Sequence, residues 1–403
     1  VTRFRRLLGL PENLPNAVLS TLVFYLGHLF FQGWVLSSEL CVLGVLVSAI
    51  LALYRRDLRP SFHILFYPLL VYCVISSVSA LASFRAIHSA AEGALWGKTL
   101  LFPAAVILFR DVPRARVLAL RMTLFVGVFI SSLGLWQYFV LLHRDLDHRI
   151  TGPASHVMTY SGLLMVIALV ALVLWLHEPK SGVLLGVTMV TTLSLLLTFT
   201  RSVWVGWGAA VLVLLTLRRP RWLVYAPGVA ILILCFLPLP VFSRLLSVFD
   251  TKQSSNLDRI RMVQAGVEII KDNPTLGVGP ANIKEVYPLY RKPDAPRFRI
   301  PHLHNNVVQL WAERGIVGLA AYLLLVALFL RECARGWDGA GGRWAEVGVA
   351  VMVALAAAGM FEFNFGDTEV YWSLLDVMAL VVVSLEQTRP VNEGAAAAVP
   401  ADS

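Results

Sequence analysis

The sequence has 403 residues, of which 58% are apolar and 15% charged, with a formal net charge of +9. Soluble domains are about 45–50% apolar, so this balance excludes a soluble globular enzyme, a disordered chain and a disulfide-stapled secreted domain. The long unbroken apolar runs exclude the alternating strands of an outer-membrane barrel. The charge does not signal nucleic acid, because the basic residues punctuate apolar runs instead of gathering on one face or tail.

In chain order, VTRFRRLLGL reads as an uncleaved signal anchor with Arg3, Arg5 and Arg6 on the inner side. About twelve membrane spans are predicted, at 15–33, 36–54, 61–83, 93–109, 118–141, 157–176, 182–200, 202–217, 222–241, 305–330, 345–362 and 369–387. Short connections on one side contain arginine triplets: Arg55, Arg56, Arg59; Arg110, Arg114, Arg116; Arg218, Arg219, Arg221; and Arg331, Arg335, Arg343. The connections 34–36 and 363–368 have no Lys or Arg. This bias puts both termini in the cytoplasm and the long segment 242–303 outside, where its ten Lys/Arg do not oppose translocation. Four units result: spans one to nine over 1–241, an outer loop over 242–303, spans ten to twelve over 304–388, and a low-complexity tail over 389–403. Cys41, Cys73, Cys235 and Cys333 show no CxxC spacing and read as small packing residues.

Polar chemistry collects on the outer side. The loop 142–156 contains His143, Asp145, Asp147 and His148. Its D-x-D could hold a divalent cation, touch a sugar, or simply face water. A second outer element is the hairpin tip Thr200-Arg201-Ser202. Segment 256–271 is predicted as an amphipathic helix with Leu257, Ile260, Val263, Val267 and Ile270 on one face. Ser255 and Asp258 would form its capping box, and Asn273-Pro274 its stop. Arg259 and Arg261 project from it in different directions. The glycines of Pro274–Pro280 allow a tight turn that is either plain or offers N–H groups to an anion. A basic, aromatic stretch follows over 287–299, then Pro301-His-Leu-His-Asn-Asn306. His302 and His304 are expected on opposite sides of an extended segment, unless one caps the next helix. Histidine is the side chain suited to general-base work near neutral pH. Lys98 and Gln137 lie near predicted span ends or pair locally, and Glu362, Asp367 and Glu369 fall on the outer rim.

His304-Asn305 followed after nine residues by Gly315-Ile-Val-Gly318 resembles the H[NSQ]-x9-GxxG pattern of the O-antigen ligases. LTFTRSVWVGW around Arg201 is similar to the family's Ser/Thr-Arg-Ser/Thr hairpin. Arg259 in NLDRIRMV with the following PTLGVGPAN resembles its arginine helix and Gly-rich turn, and Arg149-Ile-Thr-Gly152 resembles the segment before its sixth span. One departure is Val263, where the family often has an aromatic; it leaves the helix register open between Arg259 and Arg261.

The resemblance implies an all-α polytopic membrane protein of GT-C-like architecture in the bacterial inner membrane, with its active site facing the periplasm. It implies a glycosyltransferase that moves O-antigen polysaccharide from undecaprenyl pyrophosphate to a sugar hydroxyl of lipid A–core. Arg201, Arg259 and Arg261 are the implied pyrophosphate ligands and His304 the general base, in an inverting direct displacement. Arg149, His302, Asn305, Asp145 and Asp147 are candidate contacts to acceptor or glycan. No metal, cofactor or nucleic acid is expected; membrane lipids are the other partners. An O-antigen polymerase or a protein O-oligosaccharyltransferase would use the same donor. A transporter is a third reading, opposed by the lack of an internal repeat.

Overall fold

The computed structural model describes residues 2–92, 95–141, 149–218, 220–225 and 254–389. Among the described residues the fold is all-helical, with no β-strand. The helices are α1 (Thr2–Leu7), α2 (Asn16–Phe30), α3 (Val35–Tyr54), α4 (Phe66–Ala82), α5 (Ala86–Glu92), α6 (Leu95–Asp111) and α7 (Pro113–Trp136). They continue with α8 (Val157–His177), α9 (Gly182–Leu197), α10 (Arg201–Arg218), α11 (Ser254–Asp272), α12 (Ile283–Tyr290), α13 (Asn306–Arg335), α14 (Gly342–Ala358) and α15 (Thr368–Thr388). Each expected span except 222–241 coincides with one of these helices. That ninth span lies mostly outside the described residues, as do Cys235, the tail and the His143–His148 cluster with Asp145 and Asp147. Six helices, α3, α7 with its π-turn extension to Leu141, α8, α10, α13 and α15, are long and apolar enough to cross a membrane. Three more, α2, α4 and α9, are apolar but shorter. The short helices α5 and α12 were not legible as separate elements.

Burial follows composition. α8 is apolar on every side and lies buried through most of its length, as a bundle's central helix should. α15 is buried more completely still. Around them α2 packs on α3, α9 on α8, α10 on α14, and α13 on α4. Gly206 of α10 lies so close to the Ala354 carbonyl of α14 that a Cβ there would stand 2.5 Å from it. Small residues permit such approach where apolar lipid gives helices no hydrophobic drive to associate.

The outer segment has its own small core. Met262, Ala265 and Ile269 of α11 pack with Val278, Ile283, Tyr287, Ile300, Leu303 and Ala312. This corrects the expected apolar stripe: Ile260 and Val267 are exposed, and the buried line runs one residue off the predicted one. The capping box also fails. α11 begins at Ser254, the Ser255 hydroxyl accepts from Arg201, and Asp258 pairs with Arg297 at 2.5 Å. Tertiary cations outcompeted the local backbone donors for both side chains. The helix stops at Asp272 as expected, with the Asn273 N–H still bonded to the Ile269 carbonyl.

The Gly-rich turn is a structural clamp. Gly277 donates to the Asn273 carbonyl, Val278 to Ala312 (2.8 Å) and Gly279 to Glu313 (2.9 Å), so these N–H groups are already engaged. The turn docks where α13 breaks at Gly315 (φ 67°, ψ −174°), a backbone region open essentially to glycine alone. A Cβ on Gly315 would overlap the Thr275 carbonyl, and the Ile316 N–H donates to Pro274. Buried Glu313 and Arg314 brace the joint: Arg314 donates to Glu313 (2.5 Å) and to Ser76 of α4 (2.9 Å), and Glu313 accepts from the Ala281 N–H (2.9 Å).

Candidate active site

Arg201 opens α10 directly after a tight turn. Phe199 is buried there with φ +50°, and Arg149 spans the turn, donating to the Thr198 carbonyl (2.9 Å) and the Thr200 hydroxyl (2.6 Å). Arg149 is fixed in turn by its neighbours Thr151 and Gly152, whose N–H groups both donate to the Gln137 side chain at 3.0 and 2.9 Å. Arg149 therefore acts as a strut behind Arg201. Gln137 pairs across the 142–148 segment, and Lys98 finds a distant partner, the Thr368 hydroxyl at 2.8 Å, instead of a local one.

Arg201 Nη2 donates to Ser255 Oγ (2.7 Å) and Asn256 Oδ1 (3.0 Å), which docks α10 onto the start of α11. One helical turn on from Asn256 stands Arg259, on the same face. A cavity of about 180 Å³ opens between the helices, lined by Arg201, Ser202, Val205, Asn256, Arg259, Ile260 and Phe361. Two guanidiniums from different elements thus share one pocket with an apolar wall. Arg259 makes no hydrogen bond or ion pair among the described residues. Burial pulls its guanidinium below its ordinary pKa; Glu362 opposes this and Arg297 adds to it. Arg261 points away, ion-paired to Asp294 and bonded to Gln264 at 2.7 Å, and does not line the cavity.

The cavity-lining Phe361 is followed by Glu362, and the two histidines meet that carboxylate. His304 Nδ1 lies 2.9 Å from Glu362 Oε2, and His302 Nδ1 lies 3.7 Å from Oε1. The expectation of opposite sides is corrected: the two rings are 4.2 Å apart on one side, while Leu303 between them turns into the outer core. Residues two apart in extended chain share a face. Neither histidine caps α13. That role falls to Asn305, which accepts from the Val308 N–H (3.0 Å) and donates to the Met360 carbonyl (3.0 Å). With its amide so engaged, Asn305 is a structural joint.

Glu362 was legible only as a rim residue. Burial works against its charge, but the hydrogen bond from His304 and the charges of both imidazoles leave its pKa below the ordinary value. His302 moves the other way. Burial first, then His304 and Arg297, push it down to about 4, with Glu362 opposing. His302, His304 and Glu362 also bring three potential ligand atoms within 4.8 Å of one another, the one such cluster among the described residues. Two neutral imidazoles and a carboxylate could hold a transition-metal ion there, although Arg259 and Arg297 oppose a further positive charge.

The sequence comparisons bear on this region directly. Residues 185–323 match the family described as O-antigen ligase. The chain carries an O-antigen ligase domain. No curated protein matches the chain. The ligase domain runs from α9 into α13 and includes Arg201, Arg259, Arg261, His302 and His304; Arg149 and Glu362 lie outside it. The match covers about a third of the chain and supports the O-antigen ligase/polymerase superfamily, a family that suggests glycosyltransferase-like ligase activity on glycan and lipid-linked substrates. The apolar helices and the ligase domain together indicate a multi-pass membrane protein.

Proposed function

We propose that the protein is an O-antigen ligase of the bacterial inner membrane. It moves O-antigen polysaccharide from undecaprenyl pyrophosphate to a sugar hydroxyl of lipid A–core at the periplasmic face. In this reading both termini are cytoplasmic, about twelve helices span the bilayer in a GT-C-like plan, and 242–303 is the periplasmic loop. The supporting observation is the pocket in which Arg201 and Arg259, from separate helices, meet against Phe361, whose neighbour Glu362 bonds His304. Guanidiniums give phosphate charge-assisted, bidentate bonds and stay ionised. The exposed Ile260 and Phe361 offer the apolar side such a lipid requires.

The reaction follows from these parts. His304 takes the proton of the acceptor hydroxyl. The oxygen's electron pair forms the new bond to the anomeric carbon as the bond to pyrophosphate breaks. The leaving pair and its charge stay on the diphosphate, where Arg201 and Arg259 stabilise them. Attack opposite the leaving group inverts the anomeric centre. Arg261 is left out, because Asp294 and Gln264 hold it elsewhere.

Purified protein given a lipid-linked glycan and lipid A–core tests the reading. His304→Ala is expected to lose about 10²–10⁴ in turnover while melting like the parent. Arg259→Lys is expected to weaken donor use, since a point charge does not replace the fork. Near-parental rates in either folded variant contradict the assigned role. Product on a second glycan or on a peptide, and none on lipid A–core, would make the protein a polymerase or an oligosaccharyltransferase.

A further inference from the structure

We infer that Glu362 is a positioning residue for the transfer: it holds His304 through Nδ1–H and so presents Nε2 to the acceptor hydroxyl. The inference rests on the function proposed above. A carboxylate can only accept, so the 2.9 Å contact requires the hydrogen on Nδ1 and leaves the lone pair of the neutral ring on Nε2. Glu362 is itself buried, and Oε1 accepts from the Phe363 N–H (3.2 Å).

The loop bearing Glu362 is tied to the residues that follow His304. The Asn306 N–H donates to Gly359 (2.7 Å), its amide donates to Asn364 (2.7 Å), and its oxygen accepts from the Phe365 N–H (3.2 Å). Asn305 adds its bond to Met360. On the other side of His304, the Leu303 N–H donates to the buried Gln309 side chain (2.7 Å). His304 itself has φ +51°, a conformation a histidine keeps only where the surroundings enforce it. Acid and imidazole are thus fixed relative to each other by the backbone that carries them.

The charge balance gives the arrangement its use. When Nε2 takes the acceptor proton, the ring becomes a cation beside Glu362, whose charge also acts on Arg259, while Arg297 acts on the neighbouring His302. Glu362 remains ionised and receives no proton. The full ion pair with His304 exists only once the proton has moved, so its stabilisation falls on the transition state more than on the ground state.

The test compares the full-length enzyme with Glu362→Ala, Glu362→Gln, Glu362→Asp, His304→Ala and the Glu362→Ala/His304→Ala double variant, using the lipid-linked glycan and lipid A–core. Glu362→Ala is expected to lower kcat by about 10²-fold or more with little change in the donor KM. Glu362→Gln keeps an acceptor for Nδ1–H at nearly the same shape, so it folds as the parent does and recovers part of kcat. The double variant is expected to be no slower than His304→Ala alone. Nitrogen spectra of ¹⁵N-histidine protein should show the His304 Nδ1–H signal shifting in Glu362→Gln. Folded Glu362 variants within about threefold of the parent, beside an inactive His304→Ala, overturn the inference and leave the proposed function standing. Losses that multiply in the double variant also overturn it. An active His304→Ala removes the reading beneath it. Activity abolished by chelation and restored by zinc would overturn it in a different way, making the three side chains a metal site.

Discussion

His304 keeps a left-handed backbone that costs a non-glycine residue about 1–3 kcal/mol. Its neighbours on both sides, Leu303 and Asn305, are pinned by side chains of α13 and by the Met360 carbonyl. The motif singled out a histidine here. It could not show which acid it meets, because Glu362 is 58 residues away in sequence. The only local signal was an acidic group at the end of a predicted span, next to a connection free of Lys and Arg. His302 has a different consequence. Folding lowers it from 6.5 to about 4, so between those values the unfolded chain binds a proton that the folded chain refuses. Stability is therefore expected to fall as pH drops through that interval, and His302→Asn should flatten the decline. Melting curves in detergent across the interval measure it; an unchanged slope would count against the assignment.

At the scale of elements, the spacing from His304 to Gly315 has a geometric reading. Asn305 caps α13, the segment to Arg314 forms its first turns, and Gly315 then breaks the helix so that the Gly-rich turn can seat against it. The two glycine motifs, separate in the sequence, are halves of one joint. Gly315→Ala should therefore destabilise the protein by about 3 kcal/mol, combining backbone strain with overlap on Thr275. Gly186→Ala, where a new Cβ meets nothing within 4 Å, is the control and should be neutral or slightly stabilising. Equal melting losses in the two would refute this account. The amphipathic helix α11 was legible in existence and end. Its buried face was not, because that face is set by what the outer core offers, and hydrophobic spacing alone tolerated a register one residue away.

Across the whole molecule, the least expected feature is a polar cluster in the apolar bundle. Asp376 of α15 accepts from Tyr25 (2.7 Å) and Gln32 (2.7 Å) and lies 3.1 Å from His28 Nε2, whose Nδ1 meets Ser38 at 2.8 Å. It joins α2, α3 and α15. A buried ionisable group in a spanning helix is tolerated only when so paired. Asp376→Ala is expected to cost about 3–5 kcal/mol and Asp376→Asn less, since removing one partner strands the others; melting in detergent ranks the two. Apolar runs and their punctuation determined by themselves that this is an all-helical membrane protein and where most helices lie, because burial in lipid demands long apolar segments with internally satisfied backbones. The motif residues also marked which arginines and which histidine to follow. Only the tertiary structure decided that Arg201 and Arg259 share a pocket, that Arg261 turns to Asp294, and that Glu362 meets His304. Those outcomes depend on helix rotation and on contacts between segments far apart in the chain, and neither is encoded in any local pattern.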